Sequence, residues 1–437
     1  MLKKFLFGLA VALAVAFGLA AAIALPWAAI AGVVLLLALW LGLTRLGRLT
    51  GSITASGMST LPQRWAGASV VVVGIAGVVG VLVALLAMAS GYQATFRATG
   101  SEQRAIVLRA GAISESTSQL GQQSVMLIGQ EPQVARDAEG RPLASPEVVV
   151  ASSATKRGSG RPGTLTIRGV GPEVWAVRPR VKILAGRPFR PGLRELIAGK
   201  NAVLEFTHSS VGSTIKINGQ PWKVVGEFTH GGEHDSELWG DVNLISQAFH
   251  RGSNVQSVTV RLSNPKAFEA FKAALASDPR LKVRAQTTAA YYAAQSRGMT
   301  HIITILATVV ASIMAIGAVA GALNSMYAAV AARTREVATL RAIGFRGGVV
   351  IFSILAETVL LALAGGLIGA LTAWVLFRHF TASTVGPNFS AVIFQFRITP
   401  ALIGEGLKWS IAIGFLGGLF PALRAARQSV TDGLREL

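Results

Sequence analysis

The sequence contains no cysteine and little charge, with only 14% of its 437 residues being Asp, Glu, Lys or Arg. Without cysteine the chain can form no disulfide framework, thiol nucleophile or cysteine-ligated metal site, so any exported part must be stabilised by its own core. In place of charge the chain has 51% apolar residues and a mean hydropathy of +0.52. This composition is typical of a protein that lies in a lipid bilayer.

Acidic residues are the scarcer of the two charged classes, with 21 Asp+Glu against 41 Lys+Arg, and the net charge is +20. Residues 91–299 contain 26 Lys+Arg and 16 Asp+Glu, and the remainder contains 15 and 5, so each part carries +10. No basic block is interleaved with aromatic residues. The evenly spread excess favours contact with anionic membrane lipid, and we expect no nucleic-acid partner.

Six apolar stretches are long enough to cross the hydrocarbon layer as helices. They lie near residues 5–24, 27–43, 68–88, 302–329, 349–377 and 401–423. The first two flank Pro26 and predict a tight hairpin. The start, MLKKFLFGLAVALAVAFGLAAA, also has the form of a secretory signal, but a second span follows at once, which favours a retained hairpin.

The segment 44–64 joins this hairpin to the third span and is expected to be a cytoplasmic or interfacial linker. Its apolar residues among Arg and Ser/Thr favour an interfacial helix, although three glycines weaken that interpretation. The apolar residues are Leu46, Leu49, Ile53 and Leu61, and the glycines are Gly47, Gly51 and Gly57.

Basic residues in short loops predict the orientation, because Lys and Arg stay on the cytoplasmic side. With the N-terminus inside, twelve basic residues lie in inner segments and three, Arg378, Arg397 and Lys408, lie in an outer loop. Residues 91–299 then lie outside as one large domain. We therefore expect a multi-pass protein of the cytoplasmic (inner) membrane, with both termini in the cytoplasm.

The outer domain, residues 105–285, reads as an α+β fold of two lobes. Short β-branched runs predict its strands: EVVVASS, GTLTIRGV, AVLEF, STIKINGQPWKVVGEF and VQSVTVRL, with a further strand at 241–245. Asn218-Gly219 predicts a hairpin, and residues 265–276 predict a helix. The flanks, 90–103 and 287–301, are predicted to be helical stalks continuous with the spans.

One cluster has the order of a zinc peptidase motif, His230-x-x-Glu233-His234. That motif requires a helix, because only helical spacing puts both imidazoles on one face. Gly231-Gly232 argues against a helix, and the alternative is a polar loop between strands. The chain contains no phosphate-binding G-x-x-x-x-G-K-[ST] segment, so we expect it to bind no ATP itself.

Inside the fifth span, Glu357 is costly against lipid and is expected to face a partner or a cavity, or else to reach Arg341 or Arg346. Gly365, Gly366 and Gly369 form a small face that predicts close helix contact.

Several segments resemble the FtsX/MacB-type (type VII) ABC transporter permeases, without a fused ATPase domain. The most specific is RTREVATLRAIGF (333–345) followed by AETVLLALAGGLIGA; PALRAARQSVTDGLREL, ILAGRPFRPG and GSTIKINGQPWKVVGEF are also similar. The likeness covers about residues 65–437. The family core has four spans, so the hairpin 1–43 is additional, and the ending SVTDGLR departs from the family's usual PVEALR.

The resemblance implies a permease dimer, of identical or different protomers, that receives a separate ATPase holding ATP and Mg. Stalk motion would then drive the outer domain in export or extraction of a substrate, with a possible periplasmic adaptor. It implies that residues 333–346 form a cytoplasmic coupling helix. Its contact residues would be Arg333, Arg335, Glu336, Val337, Leu340, Arg341, Ile343, Gly344 and Phe345. Val337 and Leu340 would enter an ATPase groove, and Gly344 would end the helix.

The expected domains are therefore 1–43, 44–64, 65–104 (core span and stalk), 105–285, 286–332 (stalk and span), 333–346 and 347–437 (two core spans and C-terminus). The chain is expected to be non-catalytic. The alternatives are a regulatory scaffold that activates a cell-wall hydrolase, a membrane zinc peptidase, and, for residues 333–345 alone, an anchor to anionic lipid.

Overall fold

The computed structural model describes residues 18, 21, 24–59, 65–386 and 391–428. The predicted span 5–24 therefore lies almost wholly outside the described residues, as do Leu61 and the C-terminal segment 429–437. The chain divides into two compact units. The membrane unit comprises the described residues up to Met88 together with Ile302–His379 and the chain from Arg397 onward. The sheet unit comprises Ala89–His301 and Phe380–Phe396.

The helices and strands are as follows, in chain order. The helices are α1 Trp27–Leu43, α2 Arg45–Ser59, α3 Trp65–Thr99, α4 Gln122–Gln130, α5 Val174–Val177, α6 Lys200–Glu205, α7 Val242–Ala248, α8 Phe268–Ser277, α9 Thr288–Ala332, α10 Thr334–Ala342, α11 Gly347–Phe377 and α12 Pro400–Arg427. The strands are β1 Arg104–Arg109, β2 Ala144–Thr155, β3 Pro162–Val170, β4 Lys182–Gly186, β5 Glu195–Gly199, β6 Thr214–Ile217, β7 Gln220–Thr229, β8 Glu237–Asp241, β9 Ser257–Arg261, β10 Val283–Thr287, β11 Thr381–Val385 and β12 Ala391–Gln395.

Four of the described helices are long and apolar enough to span a membrane, namely α3, α9, α11 and α12. The four predicted core spans lie inside them, and this part of the prediction is confirmed. Helix α1 has 17 residues, and it bends by 100° into α2. The pair would count as a fifth span if taken together. The linker thus contains the predicted helix, at Arg45–Ser59.

Small residues hold the membrane unit together. A Cβ added at Gly365 would lie 2.7 Å from the carbonyl oxygen of Val72 on α3, and one at Gly366 would lie 2.6 Å from Ser410 Oγ on α12. A Cβ at Gly369 would strike the carbonyl oxygen of Ala76. The glycine face of α11 therefore allows the backbones of α3 and α12 to approach more closely than any larger residue would permit.

The sheet unit contains one ten-stranded mixed sheet in the order β10-β1-β9-β2-β3-β8-β5-β7-β4, with β6 paired to β7. Its apolar side chains form two separate clusters, one around Val258, Phe271 and Trp222 and the other around Phe228 and Trp239. The predicted hairpin is confirmed, since Ile217 pairs with Gln220 and both turn residues have positive φ, 46° at Asn218 and 76° at Gly219.

Two predicted strands are wrong. The run AVLEF belongs to helix α6, where Ala202 and Phe206 are fully buried and Leu204 is exposed, which is helical rather than alternating burial. Residues 242–245 belong to helix α7, because the Asp241 side chain accepts hydrogen bonds from the N–H groups of Asn243 and Leu244 and caps it. The strand in this region is the preceding one, β8.

The sheet unit also includes a hairpin from a distant part of the chain. Strands β11 and β12, between the last two membrane helices, pair with each other in antiparallel fashion. The Ile393 N–H donates to Ser236 Oγ at 3.1 Å, and Asn201 Nδ2 donates to the Ile393 carbonyl at 3.3 Å. The sequence analysis treated this segment only as an outer loop, because its two short strands carry no strong periodicity.

Candidate functional site

Helix α10 is the segment predicted to couple to an ATPase. It begins after Arg333 and ends in a left-handed residue, Gly344, with φ of 106°. The Gly344 N–H donates to the carbonyl of Arg341 at 3.1 Å, and the Phe345 N–H donates to that of Leu340 at 3.2 Å. These two bonds form a Schellman motif, in which glycine is favoured because it adopts positive φ without strain. The helix is therefore short and sharply terminated.

The two faces of α10 differ. Thr334 and Ala338 are buried, and Val337 packs against an apolar cluster that includes Val330 and Ile354. On the outside, Arg335 and Glu336 are exposed, and Ile343 at the helix end is 72% exposed. Val337, which was predicted to enter a partner's groove, thus packs within its own chain. The exposed apolar side chain is that of Ile343.

An ion pair holds the start of α10. Arg333 Nη1 lies 3.0 Å from Glu357 Oε2, and both side chains are largely buried. One of the two expectations for Glu357 was that it would reach Arg341 or Arg346, but Arg341 donates to the main-chain carbonyl of Gln428. Arg333 is the partner because it precedes the helix and faces α11, whereas Arg341 lies two turns further along.

A cavity of about 390 Å³ adjoins this ion pair. Its walls come from α2, α9, α10 and α11, and they include Ile53, Val330, Val337, Leu340 and Ile354. Glu336, Arg333 and Glu357 supply its charged groups, and the hydroxyls of Ser52 and Ser353 also line it. Glu357 thus faces a cavity as well as a partner. Because α2 forms one of the cavity walls, this part of the N-terminal region lies beside the predicted coupling residues.

The sheet unit contains a second polar centre, a fully buried network of charges around Arg168 on β3. Arg168 donates two parallel hydrogen bonds to Glu237 on β8, from Nε and Nη2, each at 2.8 Å. Its Nη1 also donates to Glu115 and to Glu147, again at 2.8 Å. The guanidinium therefore binds three carboxylates, and such charge-assisted bonds are the strong class of protein hydrogen bond.

A second arginine balances this charge. Arg178 donates to Glu147 and lies beside Thr259. Burial alone would raise the pKa of Glu147, but the guanidinium groups of Arg178 and Arg168 hold that pKa at about 2. The carboxylate is therefore ionised at any physiological pH.

The network reaches both helices that enter the sheet unit. At the end of α3, Arg104 Nη2 donates to the carbonyl of Thr99 at 2.8 Å, and the Glu233 N–H donates to Thr99 Oγ1 at 2.7 Å. At the start of α9, the Tyr291 hydroxyl accepts from the Glu115 N–H at 3.2 Å. Burial and the like charge of Glu237 raise the pKa of Glu233 to about 8, so this acid is neutral at pH 7. Polar bonds thus join both helix ends to the charge network.

The candidate zinc residues belong to this network. They lie in a loop and a 3₁₀ turn, Glu233–Ser236, and not in an α-helix. His230 Nε2 lies 3.4 Å from Arg104, and His234 Nδ1 lies 3.0 Å from Glu237. Burial lowers the pKa of both imidazoles, that of His230 to about 2. Among the residues that the structure describes, no group of three His, Asp or Glu side chains is placed to hold a metal ion.

The sequence analysis did not identify the charge network. The available signal was charge inside apolar β-like runs: Glu147 precedes three valines, and Arg168 lies within GTLTIRGV. Charged residues at positions where a strand expects apolar ones are seldom buried unless they are paired.

Two family models match the chain. The MacB-like periplasmic core domain matches residues 68–278, and the FtsX-like permease C-terminal domain matches residues 308–430. Neither includes α1 or α2.

Among curated proteins, the chain is similar to the macrolide export ATP-binding/permease protein MacB of Shewanella sp. (strain ANA-3). The two are 26% identical over 309 residues, which cover 65% of this chain and 45% of the relative. It is also similar to the uncharacterized ABC transporter permease YvrN of Bacillus subtilis (strain 168), at 25% identity over 239 residues, covering 51% of this chain and 56% of that one. The chain thus spans about half the length of these relatives.

Among solved structures, the periplasmic region of MacB from Actinobacillus actinomycetemcomitans matches with a TM-score of 0.34 and 15% identity. That match covers 44% of this chain and 91% of the solved one. The extracellular domain of YknZ, a noncanonic ABC-type transporter from Gram-positive bacteria, matches with a TM-score of 0.32 and 15% identity, over 42% of this chain and all of the solved one.

Proposed function

Since the chain belongs to the MacB- and FtsX-like ABC transporter permeases, we propose that it converts ATP hydrolysis by a separate ATPase subunit into movement of its sheet unit. This movement drives export or extraction of a substrate. The chain itself is non-catalytic, and ATP and Mg are held by the ATPase. A scaffold that activates a cell-wall hydrolase would use the same movement, and no contact described above favours it.

Helix α10 carries this proposal. It is short, its start is held by the Arg333–Glu357 ion pair, and its end is closed at Gly344, so a force on the helix is passed to α11 rather than absorbed by bending. Its exposed surface combines the charges of Arg335 and Glu336 with the apolar Ile343. An apolar anchor beside charges is the usual composition of a specific protein contact. A lipid anchor alone would need neither Glu336 nor the closed end.

The sheet unit would receive the movement through α3 and α9. Each is a single helix that begins or ends in the membrane unit and continues into the sheet unit. Thr99 and Tyr291 tie these helices to the Arg168 network. We propose that the network makes the joint stiff, because displacement of either helix end would have to break buried charge-assisted bonds.

The remaining parts of the proposal concern assembly. We propose a dimer with a second permease protomer, identical or different, in the cytoplasmic membrane. The sheet unit lies in the periplasm or outside the cell, α10 lies in the cytoplasm, and an adaptor protein contacts the sheet unit. The proposed orientation rests on the twelve basic residues of the inner segments.

The ATPase contact is tested by Ile343→Asp. A carboxylate at this exposed apolar position should abolish co-purification of a co-expressed ATPase subunit, while membrane insertion is unchanged. Ile113→Asp is the matched control, because Ile113 is 81% exposed and lies in the sheet unit. Retention of the ATPase by Ile343→Asp would refute the coupling assignment.

The orientation is tested with single cysteines, since the chain has none of its own. A membrane-impermeant maleimide added to cells with a permeable outer layer should label Asn218→Cys and leave Ile343→Cys unlabelled. The reverse pattern would invert the proposed topology.

A further inference from the structure

The two edges of the sheet differ. At one edge, β4 pairs with β7 through a register shift between Ile183 and Ala185 and ends at Gly186, which has φ of 74°. Such an irregularity blunts an edge and prevents further strands from adding. At the other edge, β10 pairs with β1 over five consecutive residues without a shift. The β10 edge is therefore the regular one.

The outward backbone groups of β10 follow from its register. The Ala110 N–H donates to the Lys282 carbonyl at 2.8 Å, so residue 282 faces β1. In an antiparallel pair alternate residues face the partner, so Arg284 and Gln286 also face β1. The backbone groups of Val283 and Ala285 consequently point away from the sheet. No hydrogen bond from these groups to another described residue is present beyond the sheet edge.

A groove of about 430 Å³ runs along this edge. All five residues of β10 line one side, and Phe268, Lys272 and Leu275 of α8 line the other. A groove between an edge strand and a helix is a known form of peptide recognition: the peptide adds as a strand, and alternate side chains enter the groove. Phe268 and Leu275 provide the apolar contacts for such side chains.

The charge of the groove is positive. Its charged lining residues are Lys272 and Arg284, and in the part of the chain that the structure describes no Asp or Glu lines it. Glu269 lies 3.7 Å from Lys272, but its own side chain is 79% exposed and points to solvent. A second copy of this chain would bring the same cations to the groove, so self-pairing is opposed by like charges. An acidic strand is favoured.

We propose that the groove between β10 and α8 binds an extended acidic segment of another protein, which adds to the sheet as an eleventh strand. Backbone hydrogen bonds to Val283 and Ala285 supply affinity. Apolar side chains at alternate positions face Phe268 and Leu275. The carboxylates between them lie on the face of Arg284, and Lys272 adds positive charge at the groove wall, so that together they supply specificity. This proposal concerns the sheet unit alone and does not depend on the ATPase contact.

The test uses the full-length chain in detergent micelles and fluorescence anisotropy of labelled six-residue peptides. The probes are an alternating Glu/Val peptide, its Lys/Val counterpart, and the Glu/Val peptide N-methylated at alternate backbone nitrogens in either phase. We expect the Glu/Val peptide to bind at least about tenfold more tightly than the Lys/Val peptide, and one N-methylated phase to lose about tenfold. Equal binding of the acidic and basic peptides would overturn the proposal.

Variants locate the binding. Lys272→Glu combined with Arg284→Glu should reverse the preference toward the Lys/Val peptide, whereas Lys216→Glu on β6 should leave it unchanged. Both changes lie on the surface, and thermal unfolding of each variant establishes that the fold is retained. If the double variant keeps the acidic preference, the site is elsewhere. If it instead changes the oligomeric state of the peptide-free chain, the occupant is a second copy and the proposal is wrong.

Discussion

The interiors of the two units are built from different kinds of residue. In the membrane unit, glycine and alanine let helices touch: Gly365 and Gly369 meet the backbone of α3, and Ala307 and Ala311 of α9 are fully buried. In the sheet unit the interior contains a network of arginines and glutamates around Arg168. Lipid offers no hydrophobic driving force between helices, so contact area and close approach decide stability there. In the sheet unit apolar side chains are removed from water, and the buried charges are paired with one another.

The comparison predicts different sensitivities. A charge removed from the sheet unit should be more damaging than a methyl group added to the membrane unit, because an unpaired buried charge is costlier than local overpacking.

The largest effect is expected for Arg168→Ala. It leaves Glu115, Glu147 and Glu237 buried near one another without their common partner, at a cost of about 3–5 kcal/mol. The thermal midpoint of the sheet unit, followed in detergent by the fluorescence of its tryptophans, should fall steeply. Arg141→Ala is the control, because its ion pairs with Asp137 and Glu139 are exposed and solvent screening leaves such pairs with little effect on stability. Similar losses in both variants would contradict the network's role.

The next effect is expected at the Arg333–Glu357 ion pair. Glu357→Ala removes the carboxylate that Arg333 contacts, and we expect a loss of about 2 kcal/mol, less than at Arg168 because the adjoining cavity can admit water. ATPase activity of the assembled complex should fall in parallel. The charge-swapped double variant, Arg333→Glu with Glu357→Arg, should restore part of the stability and part of the ATPase activity. If the double variant is as damaged as Glu357→Ala, the two charges act separately.

A smaller effect is expected for Gly369→Ala. The added methyl group meets the carbonyl oxygen of Ala76, so α3 and α11 must separate, at about 1–2 kcal/mol. Gly317→Ala on α9 is the matched control, because a Cβ there meets nothing within 4 Å. That change should be neutral or stabilising, since alanine favours a helix more than glycine does. Thermal midpoints in detergent measure both, and equal shifts would show that close approach is unimportant.

The last prediction concerns a shift with pH rather than a loss of stability. Glu233 is neutral in the folded chain, because burial and Glu237 raise its pKa from 4.5 to about 8. The folded state therefore holds a proton that the unfolded state releases, and the stability contributed by this group falls as pH rises from about 4.5 to about 8. Glu233→Gln should remove that fall. We expect the thermal midpoint of the variant, relative to the unchanged protein, to be higher at pH 8 than at pH 5.

The sequence predicted features that depend on local physics. Long apolar runs predicted the four core spans, because length and hydropathy alone decide whether a helix can cross the bilayer. Asn218-Gly219 predicted its hairpin because the turn requires positive φ at both residues. The strand predicted for AVLEF was wrong, because a run of only five residues cannot distinguish a strand from a buried helical turn.

Features that depend on long-range contacts could not be predicted from the sequence. The partner of Glu357 is 24 residues away, and the carboxylates around Arg168 come from three other segments of the chain. No spacing rule links such positions. At α10 the sequence indicated the segment but not its orientation: of the residues predicted to contact an ATPase, Val337 packs within its own chain and Ile343 is exposed.

The β11–β12 hairpin has a consequence for biosynthesis. Phe394 packs edge-to-face on Tyr92, with ring centroids 5.5 Å apart, and β12 donates to Ser236, so the fold around Ser236 is closed by residues made about 150 positions later. At a synthesis rate of about 5–20 residues per second, those residues leave the ribosome roughly 10–30 s after Ser236. The sheet unit therefore stays incomplete while α11 is being translated. A complete sheet unit therefore contains residues that are made only after the third core helix.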